Sequence, residues 1–134
     1  MKQQGRALVT IPSVAFEFSR TDSIAGYDTR ANFIKNFLDI YPIEKHLQNF
    51  IPLIPVLQRL HGKMSYSDFL LYCCLYQFQG SMLLTENHKD FIPTILNRYG
   101  IFTIDRGERD IRNIAMYIFD HKKFERAAED ILKT

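Results

Sequence analysis

Apolar residues recur along the chain with two different periods, and the switches between them mark out the elements. "ALVTI" (Ala7 to Ile11) reads as a short strand, stopped by Pro12 and Ser13. A proline at a helix start and a serine as its cap introduce the helical stretch "VAFEFSR", Val14 to Arg20. "TDSIAGYD" (Thr21 to Asp28), with Gly26 and two aspartates, reads as a turn. A helix is predicted next from about Thr29 to Ile40, with Ala31, Phe33, Ile34, Phe37 and Leu38 forming its apolar face. Ile43, Leu47, Phe50, Ile51, Ile54, Leu57 and Leu60 then keep helical spacing. Pro52 and Pro55 interrupt that run and force a kink or restart near Phe50, and His61-Gly62 closes it.

"SYSDFLLYCCLYQFQG" is the clearest helix, with Ser65 or Ser67 as cap, Asp68 in the first turn and Gly80 at the end. Its interior is apolar almost all round, which predicts a central, buried helix. "SMLLT" (Ser81 to Thr85) reads as a buried strand. A short helix from about Asp90 to Asn97, a turn at Tyr99-Gly100 and a strand "IFTID" (Ile101 to Asp105) follow. Glu108 to Lys133 reads as one charged helix with Ile111, Ile114, Ala115, Ile118, Phe124, Ala127, Ala128 and Ile131 on its inner side. The order predicts an α/β fold with a small parallel sheet. Such sheets carry their ligand sites at the carboxyl ends of the strands.

The 134 residues fit one domain able to bury a core, and 46% apolar with 24% charged residues is ordinary globular composition. A net charge of +2 is too weak to imply nucleic-acid binding by itself, so any such footprint is local. The adjacent Cys73 and Cys74 cannot staple distant segments and read as buried, reduced thiols rather than a vicinal redox pair. No apolar stretch reaches the length of a membrane span, and "MKQQGRALVTIPS" lacks the apolar core of a signal peptide. A soluble cytoplasmic protein is expected.

Candidate chemistry concentrates in oxygen donors. Glu17 follows the first strand between two phenylalanines, on a helix expected to be partly buried, where a carboxylate needs a partner, an ion or an exit to solvent. Asp68 opens the buried helix, where complementing the helix dipole is the plain alternative to a metal role. Asn87, with Glu86 and Asp90 near it, lies in the polar turn "TENHKDF" beyond the strand 82–85; turn-making and helix-capping are the plain alternatives there. A hard divalent cation is held by one or two carboxylates with water filling the other positions. Its chemistry would suit phosphodiester hydrolysis. His88 reads as a solvated loop residue, and His46, His61 and His121 show no metal spacing. There is no glycine-rich phosphate loop, zinc pattern or hydrolase triad.

The order "VTIPSVAFEF", a long helical stretch, then "MSYSDFLLYCCLYQFQGSMLLTENHKDF" resembles the PIN-domain family of metal-dependent ribonucleases, which includes the toxin halves of bacterial VapBC-type toxin–antitoxin pairs. Family members show a strand and a glutamate-bearing helix, matched by Glu17. An aspartate opening an apolar helix is matched by Asp68. A strand ending in a Thr-x-Asp/Asn-x-x-Asp-Phe turn is matched by Thr85, Asn87, Asp90 and Phe91. The resemblance covers roughly Ala7 to Asp105, its later block being the more specific part. It implies a single PIN-like domain over 1–134, a three-layer α/β fold with a small parallel sheet flanked by helices, and 106–134 as a C-terminal helical extension. It further implies Mg²⁺ or Mn²⁺ as cofactor, Glu17 and Asp68 as catalytic metal ligands, and Asn87 and Asp90 positioning the ion or its waters. RNA, rather than DNA, is the implied substrate, with Lys63 and Lys89 available to steer it. An antitoxin protein and a homodimer are the implied partners.

The family's first carboxylate, an aspartate ending an initial strand, has no counterpart here, so the chain reads as N-terminally truncated relative to the family. Asn87 is a neutral amide at a position where the family also carries aspartate. Losing a central anionic ligand weakens a divalent site, because charge count sets much of the affinity. Two functions therefore stand at this point: a metal-dependent endoribonuclease, and a degenerate module that binds RNA or protein without cutting. A third, plainer reading is a small α/β protein whose acidic residues are caps and surface.

Overall fold

The computed structural model describes residues 8–20, 23–87, 91–105 and 107–133. The chain mixes helices with two small sheets and divides into two compact units, Met1–Leu47 and Gln48–Thr134.

In the first unit, strand β1 (Val9–Thr10) leads into helix α1 (Pro12–Ser19), whose first position is the proline. Pro12 suits that place because its missing N–H has no intrahelical partner there in any case. Ser13 lies inside the helix instead of capping it: Ile11 is the N-cap residue and makes no side-chain cap hydrogen bond. Helix α2 (Ile24–Phe37) starts earlier than the turn-like composition of 21–28 predicts. The Ser23 hydroxyl accepts the Gly26 N–H at 3.0 Å, and that cap outweighs the modest penalty of a glycine in the first turn. The helix also stops earlier than expected, at Phe37, because Asp39 and Ile40 form strand β2, parallel to β1 in the register Val9↔Asp39 and Thr10↔Ile40. Arg30 ties α1 to α2 by donating to the carbonyls of Phe18 at 3.0 Å and Arg20 at 2.6 Å, its guanidinium lying over the Phe18 ring.

From Ile43 the chain runs through a 3₁₀ turn (Ile43–His46), a single α turn, α3 (Leu47–Phe50), a second 3₁₀ turn (Ile51–Leu53) and helix α4 (Ile54–Leu60). The interruption falls at Phe50, as Pro52 and Pro55 predict.

The second unit holds helix α5 (Tyr66–Gln77), strands β3 (Leu83–Thr85), β4 (Leu96–Asp105) and β5 (Ile111–Phe119), and helix α6 (His121–Leu132). Ser65 caps α5 by accepting the Asp68 N–H at 3.1 Å, and Leu70, Tyr72, Cys73 and Leu75 are buried. The strands form an antiparallel sheet in the order β3-β5-β4, so the only parallel pairing among the described residues is β1 with β2. Ala115, Tyr117 and Phe119, alternate residues of β5, are buried on the face against which α5 packs. Tyr76, Phe119, His121 and Phe124 form one aromatic cluster with centroid separations of 4.8–5.7 Å that joins α5, β5 and α6.

Two predicted helices are corrected here. No helix occupies 91–97: Pro93 confines the segment to one turn, closed by the Leu96 N–H donating to the Ile92 carbonyl at 3.2 Å, and β4 begins at Leu96. Tyr99-Gly100 is an irregularity within β4, where the register with β5 shifts between Arg98 and Gly100, and not a turn between elements. In the segment 106–134, expected to be helical throughout, the described residues 107–133 form a hairpin turn, strand β5 and only then a helix.

Candidate functional site

Within the second unit, helix α5 packs on β5, and its residues meet the far end of the turn that follows β3. Asp68 lies in the first turn of α5, half-buried. Tyr72 is four residues on, so both side chains occupy one stripe of the helix, and a helical side chain leans back over the turn before it. The Tyr72 ring is buried at 1% exposure and meets the Phe91 ring at 5.4 Å. Its hydroxyl accepts the Ile92 N–H at 3.0 Å. Phe91 is also buried and reaches Tyr117 of β5 at 6.2 Å. The far end of the "TENHKDF" turn is thereby fastened to the helix that carries Asp68.

The near end of that turn is set by Thr85, whose hydroxyl accepts the Asn87 N–H at 3.0 Å. This bond turns the chain sharply out of the sheet and leaves Asn87 exposed. Glu86 faces Arg112 of β5 at 3.6 Å, and Arg112 also donates to Asp110 at 3.0 Å. Glu86, the carboxylate next to Asn87, thus has a guanidinium beside it. Asp90, His88 and Lys89 lie outside the described residues.

Glu17 belongs to the first unit. It is exposed, not partly buried as its two phenylalanine neighbours suggest, and those neighbours are exposed with it, Phe16 at 67%. Ile11 and Ala15, four apart, form the buried side of α1, and Glu17 is about 200° round the helix from Ala15. An open groove of about 620 Å³ beside α1 and α2 is lined by Ala15, Phe16, Arg20, Tyr27 and Ile34 among others, and Glu17 does not line it.

Among the described residues, no three His, Cys, Asp or Glu side chains are grouped as a metal site. The donors that the turn and α5 do offer, a half-buried carboxylate and an amide oxygen, are of the hard kind that Mg²⁺ and Mn²⁺ take. His46 stacks on Tyr41 at 6.1 Å, and the His121 Nε2 lies 3.0 Å from the Tyr76 carbonyl. Cys73 is buried in the core, and desolvation, with Cys74 beside it, pushes its thiol up to about 12, a setting for an inert thiol.

Sequence reasoning missed the Tyr72–Phe91–Tyr117 fastening. The aromatic ending of the turn was visible, but its partners were not, because Tyr117 sat in a segment read as helix. No helix of the described residues is long and apolar enough to cross a membrane. Comparison with known protein families, curated proteins and solved structures finds no match to this chain.

Proposed function

We propose that this chain is a PIN-like, divalent-metal-dependent endoribonuclease module of three-layer α/β type, with Asp68 as a carboxylate ligand and Asn87 as a further oxygen donor. The observation that carries the reading is the fastening of the Thr85–Phe91 turn to Tyr72, one helical turn from Asp68.

In this reading the half-buried Asp68, in the Ser65-capped first turn of α5, would hold the cation through its carboxylate. Asn87 would supply a further oxygen donor to it. The chemistry such a cation supplies is neutralisation of the charge that builds on a phosphodiester as water attacks. The resemblance assigns Glu17 and Asp90 as further ligands. RNA is the substrate, and an antitoxin protein is the partner for a toxin-half ribonuclease.

The test is Mn²⁺-dependent cleavage of a mixed RNA substrate by the wild type and by Asp68→Asn and Glu17→Gln. The reading expects cleavage that needs the metal and is lost in Asp68→Asn. Cleavage of equal rate in both variants would point to a contaminant. A second reading, a module that binds RNA or protein without cutting, is favoured by one observation: Glu86, the nearest described carboxylate in the turn, is engaged with Arg112. RNA binding without cleavage in the wild type would select it.

A further inference from the structure

Strand β4 is an edge of the β3-β5-β4 sheet, and no described strand pairs with its other side. An edge strand presents a row of outward backbone donors and acceptors, which proteins usually blunt with lysine, proline or a short length. β4 has ten residues and contains neither lysine nor proline. Its outer half also keeps apolar side chains in solvent: Phe102 is 38% and Ile104 41% exposed. Ile101 is exposed as well.

The register with β5 fixes which β4 residues share a face. Arg98 is opposite Tyr117, Ile101 opposite Ala115, Thr103 opposite Asn113 and Asp105 opposite Ile111, so all four lie on the face of the odd-numbered β5 residues. Gly100, Phe102 and Ile104, opposite Met116, Ile114 and Arg112, lie on the other. Arg98 and Asp105 are an odd number of positions apart and would face opposite ways in a regular strand. The register shift at Tyr99 brings them to one face.

A two-fold axis perpendicular to the sheet at Phe102 then generates a self-complementary antiparallel pair. Phe102 meets its own copy, Gly100 meets Ile104, Ile101 meets Thr103, and Arg98 meets Asp105, every pair on a shared face. The arrangement puts a small residue against a branched one and opposite charges together at both ends. Shifting the axis by one ladder position either way puts Arg98 or Asp105 against an uncharged residue or past the end of the strand. We propose that β4 is a self-association edge, on which two copies of this chain pair antiparallel about Phe102 with Arg98 of each opposite Asp105 of the other. A homodimer is also implied by the family resemblance; this pairing is argued from the β4 edge alone and uses none of the residues assigned to the ribonuclease site.

The test is sedimentation velocity on the full chain from about 1 to about 300 μM, a span suited to interfaces at the small end of the range. The wild type is expected to dimerise with rising concentration. Arg98→Asp, at an exposed position, sets like charges against each other twice and should weaken the dimer roughly tenfold or more. Adding Asp105→Arg to it should restore association. Because Asp105 also accepts the Gly107 N–H at 2.9 Å, Phe102→Lys provides a second disruption that leaves that turn intact, and it should be monomeric by the same measurement. A wild type that stays monomeric throughout would overturn the proposal, and so would a dimer indifferent to both Arg98→Asp and Phe102→Lys.

Discussion

The Tyr72 hydroxyl accepts the backbone N–H of Ile92 at 3.0 Å, across twenty residues of chain, and so holds the turn after β3 against the middle of α5. Replacing the tyrosine by phenylalanine keeps the ring contact with Phe91 and deletes only that acceptor. A part-buried amide then loses its partner, and Tyr72→Phe should lower stability by about 1 kcal/mol. Urea denaturation measures the loss, and hydrogen exchange at the Ile92 amide should quicken beyond what the global change explains. An unchanged exchange rate at Ile92 would mean that the bond does not hold the turn.

The hairpin between β4 and β5 makes a separate prediction. Gly107 sits at φ 80°, followed by Glu108 at 50° and Arg109 at 66°, three successive left-handed residues. A Cβ at Gly107 would meet nothing within 4 Å, so Gly107→Ala tests the backbone conformation alone. The left-handed penalty, less the entropy removed from the unfolded chain, gives a loss of about 1 kcal/mol. At Gly100 a Cβ would come 3.0 Å from the terminal methyl of Met116, which can swing aside. Gly100→Ala should therefore stay within about 0.5 kcal/mol of wild type. Melting curves of the two variants should separate clearly.

Asp120 links β5 to α6. One carboxylate oxygen accepts the Lys123 N–H at 3.0 Å as a helix cap, and the other accepts the Asn97 amide at 2.9 Å. The cap hydrogen bond, then the Asn97 bond, holds its carboxyl below the ordinary value of 3.8. A carboxylate whose folded pKa is lowered stabilises the fold above its unfolded pKa, and that contribution is lost as the pH falls through the lowered value. The melting temperature of wild type should therefore exceed that of Asp120→Ala near neutral pH. The gap should narrow in acid below the ordinary aspartate range. A gap independent of pH would assign the effect to packing instead.

How far the residues announced this structure differs between the two halves of the second unit. α5 was legible because its signals agree: Ser65 caps it, Gly80 at φ 83° follows its end, and the run between is apolar. β5 was not, because Ile111, Ile114, Ala115 and Ile118 keep helical spacing while Ala115, Tyr117 and Phe119 keep strand spacing. Both faces of β5 are apolar, Ile114, Met116 and Ile118 being half-buried, and a strand apolar on two faces shows no clean alternation. The second half of β4 was legible as the strand Ile101 to Asp105, and the first half was not, because Gly100 resembles a turn residue and instead sits at the register shift.

The candidate site divides in the same way. Asp68 in the first turn of α5 and Asn87 in the turn after β3 lie where the sequence motif predicts them. The exposure of Glu17 was not readable, because the burial of α1 is decided by Ile11 and Ala15 and not by the two phenylalanines that flank the glutamate. The pairing of Glu86 with Arg112 was hidden for the reason that hid β5: it depends on a strand pairing that the residue spacing did not reveal.

The most direct measurement is calorimetric titration of Mn²⁺ into the 134-residue chain, with Asp68→Asn as control and circular dichroism confirming that both are folded. Saturable binding is expected in the wild type, with its loss, or a weakening of roughly tenfold or more, when the Asp68 carboxylate becomes an amide. No binding by the folded wild type, or equal binding by both proteins, would contradict Asp68 as a metal ligand and with it the proposed ribonuclease chemistry.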